Sequence, residues 1–183
     1  RVAPVSTIRI EELPGHPDFR PLAGLRGVRH ELRYATCDNF AGRVLYPPAW
    51  DCAWLRAEAA AGLEAAAAWL ADARPGWTIV VLDALRPHRV QVAIWAEVAG
   101  TPAAAYFADP ARGSVHSFGM AVDVTLVDAA GRELDMGSGY DEMSLKSHPA
   151  MNDELLALGV LSAEQVRARG WLHAAMARGG FRG

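Results

Sequence analysis

An α+β fold, with an antiparallel sheet flanked by helices, is what this sequence predicts, on three observations. The apolar run Trp77-Thr78-Ile79-Val80-Val81-Leu82 has the length and β-branched content of a buried strand. From Gly119 the residues alternate, with Val122, Val124 and Leu126 on one side and Ala121, Asp123 and Thr125 on the other. That is the pattern of a half-buried strand, and Asp128-Ala129-Ala130-Gly131 then turns the chain back as a hairpin. Residues 51–73 instead carry apolar side chains at helical spacing, and a second helix follows near the end of the chain.

Composition narrows the classes. The chain has 183 residues, enough for one domain, expected over 1–183, with a proper core. Its formal net charge is -3 and its pI about 6.1, so it lacks the basic surface that nucleic acid or an anionic membrane requires. No run approaches the roughly 20 apolar residues of a membrane span. The most apolar, Ala57–Ala73, is interrupted by Glu58, Glu64 and Asp72. Cys37 and Cys52 do not form a metal-type pair. Two thiols suit a free state in a bacterial cytoplasm as well as a bridge in the periplasm. The chain opens at Arg1, not methionine, and the expectation is that a leading segment was removed.

Taken in order, Ser6-Thr7-Ile8-Arg9-Ile10 reads as a short β-type stretch and Pro14-Gly15-His16-Pro17 as a turn. His16 and His30 have no neighbouring ligands and read as surface or hydrogen-bonded histidines. Tyr34-Ala35-Thr36-Cys37-Asp38-Asn39-Phe40-Ala41-Gly42 reads as an extended segment with a polar turn. Asp51 is the expected N-cap of the longest helix, which Pro75-Gly76 ends. The buried strand 77–82 delivers Asp83-Ala84-Leu85-Arg86-Pro87 at its end. Pro87 opens a helix whose Val90, Ala93, Ile94 and Val98 share a face until Gly100. Arg86 is therefore held at a strand-to-helix junction. Its planar donors suit an oxyanion formed when water attacks a carbonyl, and they suit equally a salt bridge to Asp83. Residues 101–112 form a loop leading to the central stretch, and Ser162-Ala163-Glu164-Gln165 is a capping box that opens a helix to Met176.

Chemistry concentrates in Gly113-Ser114-Val115-His116-Ser117-Phe118-Gly119-Met120-Ala121-Val122-Asp123. Gly119 lets the loop fold back, so that His116 can meet Asp123 on the strand. Imidazole nitrogen and carboxylate oxygen are the ligand types of a catalytic zinc site, in which three protein ligands leave one position for water. Ser114 offers a hydroxyl to a substrate carboxylate or to an ordinary turn.

Ser-x-His-x-x-Gly-x-Ala-x-Asp, as it stands in Ser114 to Asp123, resembles the signature of zinc D,D-peptidases, and its surroundings are most similar to their D-alanyl-D-alanine dipeptidase branch. The resemblance implies the Hedgehog-like fold of that family, Zn2+ as cofactor, with His116 and Asp123 as metal ligands, and hydrolysis of D-alanyl-D-alanine. Asp83-x-x-Arg86-Pro87 is similar to the family's Asp-x-Tyr-Arg-Pro motif, whose arginine assists catalysis; Asp83 supports it, and Leu85 stands in place of the usual tyrosine. Tyr34, in a Tyr-Ala-Thr-x-x-Asn-Phe-x-Gly stretch, matches a tyrosine at the family's substrate pocket, with core packing as its other reading. Met136-Gly137-Ser138-Gly139-Tyr140-Asp141 resembles the segment whose aspartate, here Asp141, holds the free amino group of the dipeptide. Phe118 stands where relatives often carry arginine, and His148 is read as structural. The resemblance runs to Gly180-Phe181. After that pair the family carries Glu-x-x-His, supplying the general base and third ligand, and neither is present in the 183 residues. His173, in Gly170-Trp171-Leu172-His173, has glycine where the base belongs and aligns with a helix interior. The expectation is a chain that continues past Gly183 in the whole protein. The alternatives are a D,D-carboxypeptidase acting on muropeptides, or a non-catalytic binder of peptidoglycan fragments.

Overall fold

The structure is a computed structural model and describes residues 7–182. Its elements run β1 (Phe19–Pro21), β2 (Val28–His30), β3 (Trp54–Arg56), α1 (Ala57–Ala73), β4 (Thr78–Asp83), α2 (His88–Val98), β5 (Asp123–Val127), α3 (Asn152–Ala157) and α4 (Ala163–Arg178), with short 3-10 turns between them. The α+β class holds, and the sheet at its centre is mixed. β4 lies between β2, parallel to it, and β5, antiparallel to it; β1 and β3 form a separate antiparallel pair.

The central strand behaves as its composition requires. Ile79, Val80, Val81 and Leu82 are all nearly inaccessible, because α1 covers one side of the sheet and the loop bearing Tyr140 packs on the other. Leu63 and Leu70 of α1 meet Ile79, Val81 and Leu126 in the main core. Each such side chain contributes roughly 1.5–3 kcal/mol by leaving water.

The helix expected from residue 51 begins only at Ala57. Asp51 does not cap it: the Asp51 carboxylate accepts from the Ala53 N–H within a turn, and 54–56 pair with β1 instead. Helical periodicity ran on through Leu55, but tertiary pairing outweighed it. The stretch expected to be extended around 6–10 is irregular from Thr7 and coils into a 3-10 turn at Ile10–Glu12; Ser6 lies outside the described residues. The second long helix forms as expected: the Ser162 hydroxyl accepts from Gln165 N–H while the Gln165 side chain accepts from Ser162 N–H.

Two close approaches position the rest. At Gly119 φ is +70°, and a Cβ there would lie 3.2 Å from the Arg56 nitrogen. That nitrogen donates to Gly119 O at 2.9 Å, tying the end of β3 to the loop before β5. At Gly62 and Gly179 the backbones of α1 and α4 touch, and a Cβ on Gly62 would fall 2.3 Å from the Gly179 carbonyl oxygen. No helix among the described residues is long and apolar enough to cross a membrane.

Candidate metal centre and cleft

Three elements converge on one point. β4 ends in Asp83, the junction to α2 carries Arg86, and β5 begins at Asp123 directly opposite Asp83 in the ladder. The loop before β5 forms a 3-10 turn over His116–Phe118, closed by Gly119 in the left-handed region. The Arg86 N–H donates to the His116 carbonyl oxygen at 3.2 Å, so this turn is sewn to the strand-to-helix junction. All of this lies in an open cleft of about 1460 Å³ whose walls include Arg86, Ser114, His116, Asp123 and Asp141.

The histidine is oriented by its second nitrogen. His116 Nδ1 lies 2.9 Å from the Ala84 carbonyl oxygen, which can only accept, so in the neutral imidazole the proton sits on Nδ1 and Nε2 keeps its lone pair. Nε2 stands 3.5 Å from Asp123 Oδ1. Two donors each about 2.1 Å from a tetrahedral ion are about 3.4 Å apart, so the pair has the separation of two ligands to one metal. Backbone anchoring of the far imidazole nitrogen is the usual support of a metal-bound histidine.

Asp83, His116 and Asp123 offer ligand atoms within 4.8 Å of one another. Asp83 is nevertheless no third ligand. Its approach to His116, 3.6 Å, is to Nδ1, the nitrogen that already faces Ala84. Its side chain is completely buried, Oδ2 accepts from Arg86 Nε at 3.0 Å and Nη2 at 2.7 Å, and Oδ1 accepts from the Tyr46 hydroxyl. Asp83 instead holds the Arg86 side chain through two hydrogen bonds. The salt bridge that competed with an active role for Arg86 therefore exists, and it does not remove Arg86 from the cleft: Nη2 lies 3.6 Å from Asp123 Oδ2. The guanidinium also sits 4.9 Å above the Tyr34 ring, and Nη1 donates to Gln91.

Electrostatics follow from these contacts. Burial disfavours the charged form of His116, but the hydrogen bond and charge of Asp123 outweigh it and hold the imidazole above its ordinary pKa. Burial opposes ionisation of Asp123 too, and His116 overcomes it, keeping the carboxyl below its ordinary value. Desolvation of Arg86 is outweighed by Asp83, so its pKa is raised and the guanidinium stays charged.

The other expected residues divide. Ser114 is buried and lines the cleft. Asp141 also lines it, with φ +57°, the only positive value outside glycine among the described residues. Asp141 Oδ1 accepts from the Tyr34 hydroxyl at 3.2 Å, while Oδ2 is buried with no partner. Burial and then Asp123 push its pKa up to about 6. Tyr34 is wholly buried, so the packing alternative describes its ring, and it meets the cleft through its hydroxyl on Asp141. Leu85, in the place of the family's tyrosine, does not line the cleft and packs with Leu13, Phe19 and Trp54. His173 lines the cleft but does not join the ligand group, and His148 stacks near Tyr106. Cys37 is exposed and Cys52 buried, and both are free. Sequence reasoning passed over Tyr46, Gln91 and Tyr140. Tyr46 and Tyr140 stood inside or beside recognisable motifs, but nothing local said that they would face Asp83 or Tyr34.

Comparison with known proteins places the chain among relatives. A family profile described as D-ala-D-ala dipeptidase matches residues 18–183. The D-alanyl-D-alanine dipeptidase of Escherichia coli (strain K12) is 38% identical over 118 residues, covering 64% of this chain and 58% of that protein. A protein of the same name from Synechocystis sp. is 34% identical over 113 residues, covering 48% of this chain and 46% of that protein. The chain thus spans about half the length of the curated relatives it matches.

Proposed function

The chain belongs to the D-ala-D-ala dipeptidase family, and from that premise we propose that it acts, within the whole protein, as a zinc peptidase that hydrolyses D-alanyl-D-alanine to D-alanine. One observation carries the reading: an imidazole with its Nε2 lone pair exposed to an open cleft, 3.5 Å from a carboxylate oxygen, beside a charged and buried arginine. His116 and Asp123 would hold the ion, and their donor chemistry suits zinc. When bound, zinc polarises a carbonyl and lowers the pKa of its water toward neutrality.

The remaining roles fall to side chains. Arg86, fixed by Asp83, would present its guanidinium to the negative charge that develops on the carbonyl oxygen as water adds. Asp141 would accept the substrate ammonium. Its unpartnered, buried Oδ2 supports this, because such an atom is costly unless a ligand completes it. Ser114 would donate to the substrate carboxylate. The resemblance puts the third ligand and the general base on a Glu-x-x-His that in the family follows the pair matched here by Gly180-Phe181, and Gly180 and Phe181 line the same cleft. The base would take the proton of the attacking water and pass it to the leaving amine.

The test is turnover of free D-alanyl-D-alanine by the whole protein loaded with zinc, against the same protein treated with a chelator. Zinc-dependent release of D-alanine is expected. Turnover that survives removal of the metal overturns the reading.

A further inference from the structure

Arg86 is held by more than its salt bridge. Its guanidinium has donors pointing two ways: Nε and Nη2 toward Asp83, and Nη1 toward Gln91 Oε1 at 2.9 Å. Gln91 lies one turn into α2 and is completely buried, an unusual site for a polar side chain without ionic work to do. Its amide orientation follows from its neighbours. A guanidinium can only donate, so it must face Oε1; the Ala108 carbonyl can only accept, so it faces Nε2, at 2.6 Å. Ala108, with Tyr106 and Phe107, belongs to the segment that forms one wall of the cleft.

We propose that Gln91 is a positioning residue for Arg86: its amide completes the clamp that Asp83 begins and links the guanidinium plane to the cleft wall at Ala108. The physical reason is rotational. Asp83 takes both hydrogen bonds from Arg86 on a single oxygen, Oδ2, its other oxygen being held by Tyr46, which leaves the guanidinium free to rock about that point. An acceptor on the opposite nitrogen, Nη1, removes the freedom, so that Nη2 stays turned toward Asp123 and the reacting centre. Preorganised donors stabilise developing charge because they need not reorient during the reaction, and a loosened one loses part of that benefit. Moving the 101–113 wall would in turn shift the arginine, since one amide holds both.

The inference rests on the dipeptidase reading for its kinetic consequence but not for its structural one, and the experiment separates them. In the whole zinc-loaded protein, Gln91→Met keeps the length and removes both polar contacts, whereas Gln91→Glu keeps the acceptor toward Nη1 and gives up the donor to Ala108. Side-chain NMR of labelled arginine reads rotation within the Arg86 guanidinium directly. Resolved, slowly exchanging Nη signals are expected in the parent protein and in Gln91→Glu, and averaged signals in Gln91→Met. With D-alanyl-D-alanine, Gln91→Met should lower kcat about tenfold with KM within about threefold and unchanged zinc content, and Gln91→Glu should recover most of that loss. An Arg86 that stays locked in Gln91→Met overturns the proposal whether or not the parent protein turns over the dipeptide. Equal loss of kcat in both variants means that the acceptor toward Nη1 does not position Arg86, and overturns it as well. A parent protein without activity defeats the dipeptidase reading and leaves the NMR comparison to decide this one.

Discussion

The two ends of the cleft are built on opposite principles. Around His116 and Asp123, groups sit on or beside strands and are closed by partners: Asp83 by Arg86 and Tyr46, Arg86 by Asp83 and Gln91, His116 by the Ala84 carbonyl. Around Asp141 the backbone is strained at φ +57°, and both Asp141 Oδ2 and the Tyr140 hydroxyl are buried without partners. Strands fix the groups at the first end, and at the second a loop carries buried polar atoms without a protein partner. Under the proposed function the contrast teaches how such a site would divide its labour, with preorganised chemistry at one end and recognition at the other.

The sharpest way to break this comparison is at the closed end. His116→Ala or Asp123→Ala should remove bound metal and bring hydrolysis to background, as measured by metal analysis and D-alanine release; a variant that keeps its metal breaks the assignment. Metal uptake by the parent should also weaken as pH falls, because the raised pKa of His116 means that the ion displaces a proton there. Next in size is Arg86→Lys. It preserves charge but not the fork that grips Asp83, and kcat should fall by about 10²–10³-fold. A conservative result, within a few fold, would mean that charge alone suffices at this position.

The open end predicts a trade. Asp141→Asn removes the charge that would face the ammonium, and kcat/KM for the free dipeptide should drop roughly 10- to 100-fold. Turnover of an N-acetylated dipeptide, which lacks the ammonium, should change little. The same substitution should stabilise the folded chain. Because the folded-state pKa of Asp141 is raised to about 6, folding favours its protonated form, and stability declines as pH rises from the unfolded value toward 6 and stays lower above it. Asparagine tolerates the left-handed backbone and escapes that penalty. Denaturation should therefore show a gain of about 1 kcal/mol at pH 7, with partial exposure discounted, and little gain at pH 4. An equal gain at both would trace the effect to backbone strain. The smallest effect belongs to Tyr46→Phe, which leaves one oxygen of Asp83 unpaired: about 1–3 kcal/mol in stability, with only a few-fold change in kcat.

Legibility in the sequence also differs between the two ends. The closed end could be read because its geometry is local: His116 and Asp123 are joined by one glycine-closed turn, and Arg86 follows Asp83 directly at a strand end. Strand β4, helix α4 with its capping box and the hairpin after β5 were legible for the same reason. What escaped is what long-range packing decides. The three-residue strands β1, β2 and β3 have no periodicity to detect, and pairing of β3 with β1 cut six residues from the front of the expected 51–73 helix. Tyr34 was recognisable only through resemblance. That its ring would lie under Arg86 while its hydroxyl reached Asp141, 107 positions away, was beyond any local signal. Gln91 and Tyr46 are hidden likewise, since a polar residue amid helical or turn residues does not announce its partner.

The glycine contact between α1 and α4 has a consequence for variation in this chain. With 2.3 Å between a would-be methyl on residue 62 and the carbonyl of Gly179, even Gly62→Ala acts as a wedge between two helices. The displaced part is the tail of α4, and residues 179–182 form part of the cleft rim. A spot that touches none of His116, Asp123 or Arg86 thus bears on the cleft rim, and replacements there would act on the site through the wall that Gly180 and Phe181 form.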